Sequence, residues 1–221
     1  MGIGMSGRGN LQPDALRIID LVDPDHCALL VQEMQNGVVG ADSGLRALAE
    51  AAREVDLAKN AASVVRAARN AGATVIHCTA ENLPGGLGAN RNSRLFEMAR
   101  RMGLENRPGS QSVRPIPELG PEPEDFVFPR YHGLSPMNGS ALDSLLRNSG
   151  ITTVVVVGVS LNIAIPNLVF DAVNRSYQVV VVSDAVAGTP VEFGNQVIKH
   201  SLALVATIVS TYELVAAWGG E

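Results

Sequence analysis

Aromatic residues are scarce in this chain. Phe, Trp and Tyr make up 4% of its 221 residues, so its core must be built from Val, Leu, Ile and Ala. Cysteine is scarcer still. The two cysteines, Cys27 and Cys78, each lie in an apolar run, which fits reduced core thiols rather than a disulfide framework or a zinc site. Basic residues are outnumbered, with 17 Lys and Arg against 22 Asp and Glu. They are scattered along the chain, leaving no stripe that follows a phosphate backbone, and nucleic acid is set aside as a partner. The first residues, MGIGMSGRGN, lack the apolar centre of a secretory signal. No HExxH, CxxC, Walker loop or D-x-H-x-H pattern occurs, so neither a metal nor a cofactor is implied. Residues 148–170 carry no charge and are long enough to raise the question of a membrane span. Gly150, Gly158, Asn162, Pro166 and Asn167 inside that stretch read instead as strand, turn and helix. The expectation is a soluble, cytoplasmic protein with no membrane partner.

What is present is regular. A hydrophobic fraction of 46% with 18% charged residues suits a globular α/β protein with a substantial core. Residues 1–24 mix Gly, Ser, Pro and Asp and read as an extended N-terminal arm; residues 25–221 read as a single domain. Strands are expected at Cys27–Val31, Thr74–Thr79, Phe126–Phe128, Thr152–Val157, Tyr177–Val182 and Ala206–Val209. Between them fall helical patterns: Glu54–Asn70 with Gly72 as its C-cap, Ser140–Gly150, one opening near Asn162, Glu192–Val205, and a last one capped by Ser210 and Glu213. Apolar strands that do not alternate in polarity, separated by helices, predict a three-layer α/β/α fold around a mostly parallel, doubly wound, Rossmann-like sheet.

In such a sheet, ligands bind at the carboxyl ends of the strands. Residues at those ends include Glu33, Thr79 to Glu81, Arg130 to His132, Ser160 to Ala164 and Asp184. Glu33 follows a buried strand, and its desolvated carboxylate suits acid–base work. The alternative is that it caps a turn or pairs with Arg130. Arg130, Tyr131 and His132 offer a bidentate cation, a phenol and an imidazole to an anion, or serve as loop anchors. Asn162 reads as a helix cap, His77 as a core histidine, and the Gly- and Asn-rich stretch 81–94 as either a lid or a solvated loop. The turn GVSLNIA, Gly158 to Ala164, joins a buried strand to a helix, whose first-turn N–H groups favour an anion.

Taken together, these stretches resemble the isochorismatase-like hydrolase family, which includes cysteine amidohydrolases such as nicotinamidase. The family's ALLVIDMQ-N-D is echoed by ALLVQEMQNG, and its G-S and I-x-P-E-L segments by Gly109-Ser110 and Ile116 to Leu119, followed by Asp125. Its K-x-R-x-S region corresponds to Ser135, Met137, Ser140, Leu142 and Asp143. Its G-V-x-T-x-x-C-V segment corresponds to Gly158 to Ile165, and its D-A-x-A-G to Asp184 to Gly188. The resemblance covers Ala28 to Glu213.

The resemblance implies a catalytic Asp, Lys and Cys, and the sequence departs at each. Glu33 stands for Asp, Tyr131 with Arg130 beside it for Lys, and Ala164 for the nucleophilic Cys. Alanine cannot attack a carbonyl, so thiol acyl-enzyme chemistry is closed at that position. Isochorismatases proper carry glycine there and use the acidic residue to protonate an enol ether, which leaves acid work open to Glu33. The expected catalytic positions are Glu33, Arg130, Tyr131 and Ala164. The expected substrate-binding positions are His132, Ser135, Ser160, Asn162 and Ile163. The family also has a cis peptide that falls at Val159-Ser160, and it implies a homo-oligomer, dimer or tetramer, with which the apolar C-terminal segment carrying Trp218 is compatible. Two functions remain open: hydrolysis of a small anionic substrate by non-thiol chemistry centred on Glu33, or a catalytically silent protein that binds a small molecule or serves structurally. A displaced nucleophile at Cys78 is a third reading, weakened by its apolar surroundings.

Overall fold

The computed structural model describes residues 17–104 and 106–220. Six strands form one sheet: β1 (Cys27–Gln32), β2 (Thr74–Ala80), β3 (Phe126–Arg130), β4 (Thr153–Val159), β5 (Gln178–Ala187) and β6 (Thr207–Val209). Their spatial order is β3-β2-β1-β4-β5-β6, and every pairing is parallel. β1 and β4 are buried along their whole length, which is why their sequences run apolar without alternation. The chain winds outward from β1 to β3 on one side and from β4 to β6 on the other. The switch point between β1 and β4 therefore opens a crevice at the carboxyl edge.

Around the sheet lie α1 (Ile18–Leu21), α2 (Asn36–Val39), α3 (Arg46–Glu54), α4 (Leu57–Ala71), α5 (Arg94–Arg101), α6 (Leu142–Asn148), α7 (Ala164–Asn174), α8 (Val191–His200) and α9 (Thr211–Ala217). One apolar layer packs Leu48 and Ala52 of α3, Ala61 and Val65 of α4 and Leu214 of α9 with Leu29, Val31, Val155 and Val157. The other packs Leu142 and Leu146 of α6 and Ile165 and Leu168 of α7 with Leu30, Ile76, Val154 and Val156. Each buried Val or Leu contributes roughly 1.5–3 kcal/mol, so aliphatic side chains carry most of both layers, with Tyr177 buried in the second.

Several element boundaries differ from the sequence expectation. The helix expected over Glu54–Asn70 begins only at Leu57, because Asp56 takes φ +52°, a left-handed turn that no helix continues through, and Glu54 instead ends α3, a helix the sequence pattern did not suggest. Gly72, at φ +85°, closes α4 as expected. β5 runs past Val182 to Ala187, with Ser183 inside it donating to the Val209 carbonyl at 3.0 Å. α8 stops at His200, and Leu202–Leu204 forms a separate 3-10 turn. Ser140 accepts from the Leu142 N–H at 3.1 Å without a reciprocal carboxylate, whereas Ser210 and Glu213 form a full capping box. Of the expected extended arm, residues 1–16 lie outside the described residues. Its last part makes one helical turn, α1, which buries Leu21 and Val22. Trp218 Nε1 donates to the Val22 carbonyl at 2.8 Å, so this side chain ties the two ends of the described chain together.

Candidate active site

The carboxyl end of β1 is built from four consecutive residues. Gln32 is fully buried, and its Nε2 donates to Glu33 Oε1 at 2.8 Å. Glu33 leaves the strand at φ +51°, while its N–H still donates to the Cys78 carbonyl at 2.8 Å. Met34 packs into the core. Gln35, also fully buried, clamps the exit of β1 to that of β2: its Oε1 accepts from the Ala80 N–H at 2.7 Å and its Nε2 donates to the Ala80 carbonyl at 3.0 Å. The Glu33 carboxylate is thereby held by backbone and side-chain bonds that precede any ligand.

The facing cation is Arg130, the last residue of β3. Its Nη2 donates to Glu33 Oε1, and its Nη1 donates to the carbonyls of Gly133 and His132. The two side chains are 12% and 15% exposed, so this is a largely enclosed pair. Both charges also act on the Cys78 thiol, at the edge of the layer that α6 and α7 cover. Glu33 Oε2 accepts no hydrogen bond among the described residues. Of the two candidates for the cation position, the structure sets Arg130 against Glu33. Tyr131 is half-buried and His132 exposed, and neither side chain bonds to Glu33.

Across the crevice, β4 approaches β1 so closely that a side chain is excluded. Gly158 pairs with Gln32 at φ +112°, and a Cβ on it would stand 2.1 Å from the Gln32 carbonyl oxygen. The Val159-Ser160 peptide is cis. The Ser160 carbonyl accepts from the N–H groups of Ile163 and Ile165, at 3.2 and 3.0 Å. Between those two, the N–H of Ala164 has no partner among the described residues, and it opens α7. The Ala164 side chain is a buried methyl group. Ile163 is partly exposed at the crevice rim.

Two residues expected to meet a ligand have other work. Asn162 does not cap α7: its Nδ2 donates to the Thr189 carbonyl at 2.7 Å and its Oδ1 accepts from the Thr189 N–H at 2.9 Å, fixing the turn after β5. Ser135 is buried, and its Oγ accepts from the Met137 N–H at 3.2 Å. Asp184 likewise works within the fold, accepting from the Thr211 N–H at 2.7 Å. His77 is the core histidine expected, with Nε2 3.1 Å from Asp125 Oδ2. No group of three His, Cys, Asp or Glu side chains suited to a metal occurs among the described residues. The sequence reading missed Gln32 and Gln35. A signal was present for Gln32, a polar residue directly after the apolar run CALLV, whereas Gln35 stands three residues further on with no such mark.

With this geometry in hand, comparison with known proteins settles the family. The isochorismatase domain matches residues 27–213. The chain belongs to the isochorismatase family. Among the relatives of this isochorismatase-like protein, the ureidoacrylate amidohydrolase RutB of Enterobacter sp. (strain 638) is 29% identical over 203 residues, spanning 85% of this chain and 86% of that protein. The cysteine hydrolase from Pseudomonas syringae pv. phaseolicola 1448A superposes with a TM-score of 0.77 at 20% identity, covering 90% of this chain and 95% of the other. The N-carbamoylsarcosine amidase from Thermoplasma acidophilum superposes at 0.66 with 23% identity, over 84% and 96% of the two chains. The parallel sheet and its flanking helices are thus those of the isochorismatase-like fold.

Proposed function

We propose that this isochorismatase-like protein hydrolyses a small anionic substrate by acid–base chemistry centred on Glu33, without a covalent thiol intermediate. One observation carries the reading: Gln32 and Arg130 both hold Oε1 of Glu33, which leaves Oε2 as a fixed, unoccupied proton acceptor or donor at the crevice. In the base role, Oε2 takes a proton from a water as its oxygen adds to the substrate carbonyl. The Ala164 N–H then donates to the oxygen that gains negative charge, and the helix end favours that charge. As the adduct collapses, Oε2 returns that proton to the leaving nitrogen and the C–N bond breaks. In the acid role, toward an enol ether, a protonated Oε2 gives its proton to the alkene carbon. Water adds to the resulting oxocarbenium carbon, and the C–O bond breaks to release the alcohol. Arg130 balances the carboxylate in either case. The thiol nearest the pair, Cys78, is pushed up to about 12 by burial and is not a thiolate at neutral pH. Relatives named for ureidoacrylate and N-carbamoylsarcosine support a small substrate.

The test is turnover of a panel of small carboxylate-bearing amides and enol ethers by the parent, by Glu33→Gln and by iodoacetamide-treated protein. Activity that survives iodoacetamide and disappears in Glu33→Gln is expected; an unaffected Glu33→Gln variant sinks the reading. A catalytically silent binding protein is the second reading, favoured by the methyl group of Ala164 and by the closed Glu33–Arg130 pair. It is removed by turnover of any compound in the panel. We also infer a homo-oligomer, supported by the apolar side chains of Ile163 and Phe170 left exposed on and beside α7. A monomer in sedimentation equilibrium overturns that inference.

A further inference from the structure

The stretch expected as either a lid or a solvated loop folds against α5 and borders a solvent-open cleft of about 420 Å³. That is the size of an ordinary small-molecule site. Leu83, Pro84, Phe96 and Leu104 give it apolar walls, and Gly85 and Gly86 leave open space where side chains would otherwise project. Among the described residues its charged lining is three arginines, Arg91, Arg100 and Arg107, against one carboxylate, Glu97. In a chain of net charge −5 this is a local reversal of sign.

Glu97 is already neutralised and does not oppose an incoming anion. Glu97 accepts from Arg100 at 3.0 Å and from Arg101 at 2.8 Å, and these bonds hold its carboxyl below the usual range, ionised and neutralised. Arg91 differs from its neighbours: its guanidinium makes no hydrogen bond or ion pair among the described residues. Asn82 donates Nδ2 to the Leu104 carbonyl at 3.0 Å, which braces the apolar wall. The cleft wall is also joined to the candidate active site. The Glu81 N–H donates to the Arg130 carbonyl at 2.9 Å, and Asn90 Oδ1 accepts from the Gly133 N–H at 2.7 Å. The carbonyl of that same Gly133 takes Nη1 of Arg130.

We propose that this cleft binds a small amphipathic monocarboxylate, its hydrocarbon against Leu83, Phe96 and Leu104 and its carboxylate on Arg91. The site deepens the hydrolase reading by naming the anionic end of the substrate, and rests on that reading only for the turnover of a bound molecule, not for its binding. Arg91 breaks no internal hydrogen bond to take a carboxylate, whereas Arg100 would have to leave Glu97. An uncharged amide of the same shape keeps the apolar contacts and loses the charge-assisted bonds.

The test uses ¹⁵N-labelled protein titrated with hexanoate and with hexanamide. Hexanoate is expected to shift the amides of Asn82, Gly85, Gly86 and Leu104 saturably, and hexanamide to bind about tenfold more weakly. Arg91→Gln should weaken hexanoate about tenfold and leave hexanamide unchanged. Arg147→Gln, which removes a charge from α6, should change neither. Glu33→Gln should bind hexanoate like the parent, so retained binding without turnover upholds this site while removing the acid–base reading. The proposal is overturned if hexanoate does not bind, if its shifts map elsewhere, if hexanamide binds equally well, or if Arg91→Gln keeps the parent affinity.

Discussion

Arg130 reaches Glu33 from the end of β3, two strands away in the sheet and 97 residues away in sequence, and donates to the same carboxylate oxygen that Gln32 already holds. Two side chains from two strand ends thus fix one oxygen of the Glu33 carboxylate and leave the other open. The pair also links the outer strand of the sheet to its centre.

Removing one member of this enclosed pair strands the other charge. Arg130→Met is expected to cost about 3 kcal/mol of folding stability, and Glu33→Gln a similar amount. The double variant should cost less than the sum of the two, because it leaves no unpaired charge. Urea denaturation of the three variants measures this. Strict additivity would mean that the two side chains do not interact in solution.

Gly158→Ala should be among the most damaging small substitutions in the chain. The added methyl carbon would stand 2.1 Å from the Gln32 carbonyl oxygen, at a φ of +112° that alanine does not tolerate. A loss of about 3 kcal/mol or more is expected, visible as a lowered urea midpoint. A parent-like midpoint would mean that β1 and β4 separate freely at this point.

Both thiols should be unreactive in the native state. Burial pushes Cys27 and Cys78 up to about 12, so neither presents a thiolate at pH 8. Iodoacetamide is expected to label neither in the folded protein and both in urea. Rapid native labelling of Cys78, read by peptide mass, would return a thiol to consideration beside Glu33.

Acid should destabilise the fold through the buried cluster of His77, Asp125 and Arg69. Burial is the chief cause that lowers His77 from its ordinary 6.5, outweighing the opposing pull of Asp125. The unfolded chain therefore takes a proton on this histidine at a pH where the folded chain does not, and stability falls as pH drops below about 6.5. Burial alone would raise Asp125, but its bonds from Arg69, the Glu122 N–H and His77 together hold it below 3.8. Its contribution is present above that value and is lost as pH falls further, so the two effects share one sign. Urea midpoints at pH 7.5 and 5.5 should differ, and His77→Asn should flatten the difference. An unchanged slope in that variant would remove His77 as a cause.

Much of the architecture was legible because burial on both faces leaves a strong mark on a strand. The runs CALLV and TVVVV have no polar alternation, and only the inside of a helix-covered parallel sheet accommodates them. Breaks that depend on one backbone torsion were not legible. Asp56 sits within an uninterrupted helical pattern, and its left-handed φ breaks that pattern between α3 and α4. Asn162 shows the same limit: beside a helix start its residue type fits a cap, yet the turn after β5 arrives close enough to take both ends of its amide.

By itself the sequence determined the order of the six strands, the family, and which residue types occupy the strand ends, because each is written in local apolar pattern and in motif spacing. Only the tertiary structure decided that Arg130 rather than Tyr131 faces Glu33, that Gln32 shares its oxygen, and that arginines scattered over residues 91–107 line one cleft. The first is a contact between residues 97 apart in sequence and is fixed by sheet order; the other two depend on side-chain direction and loop packing, which no local pattern encodes.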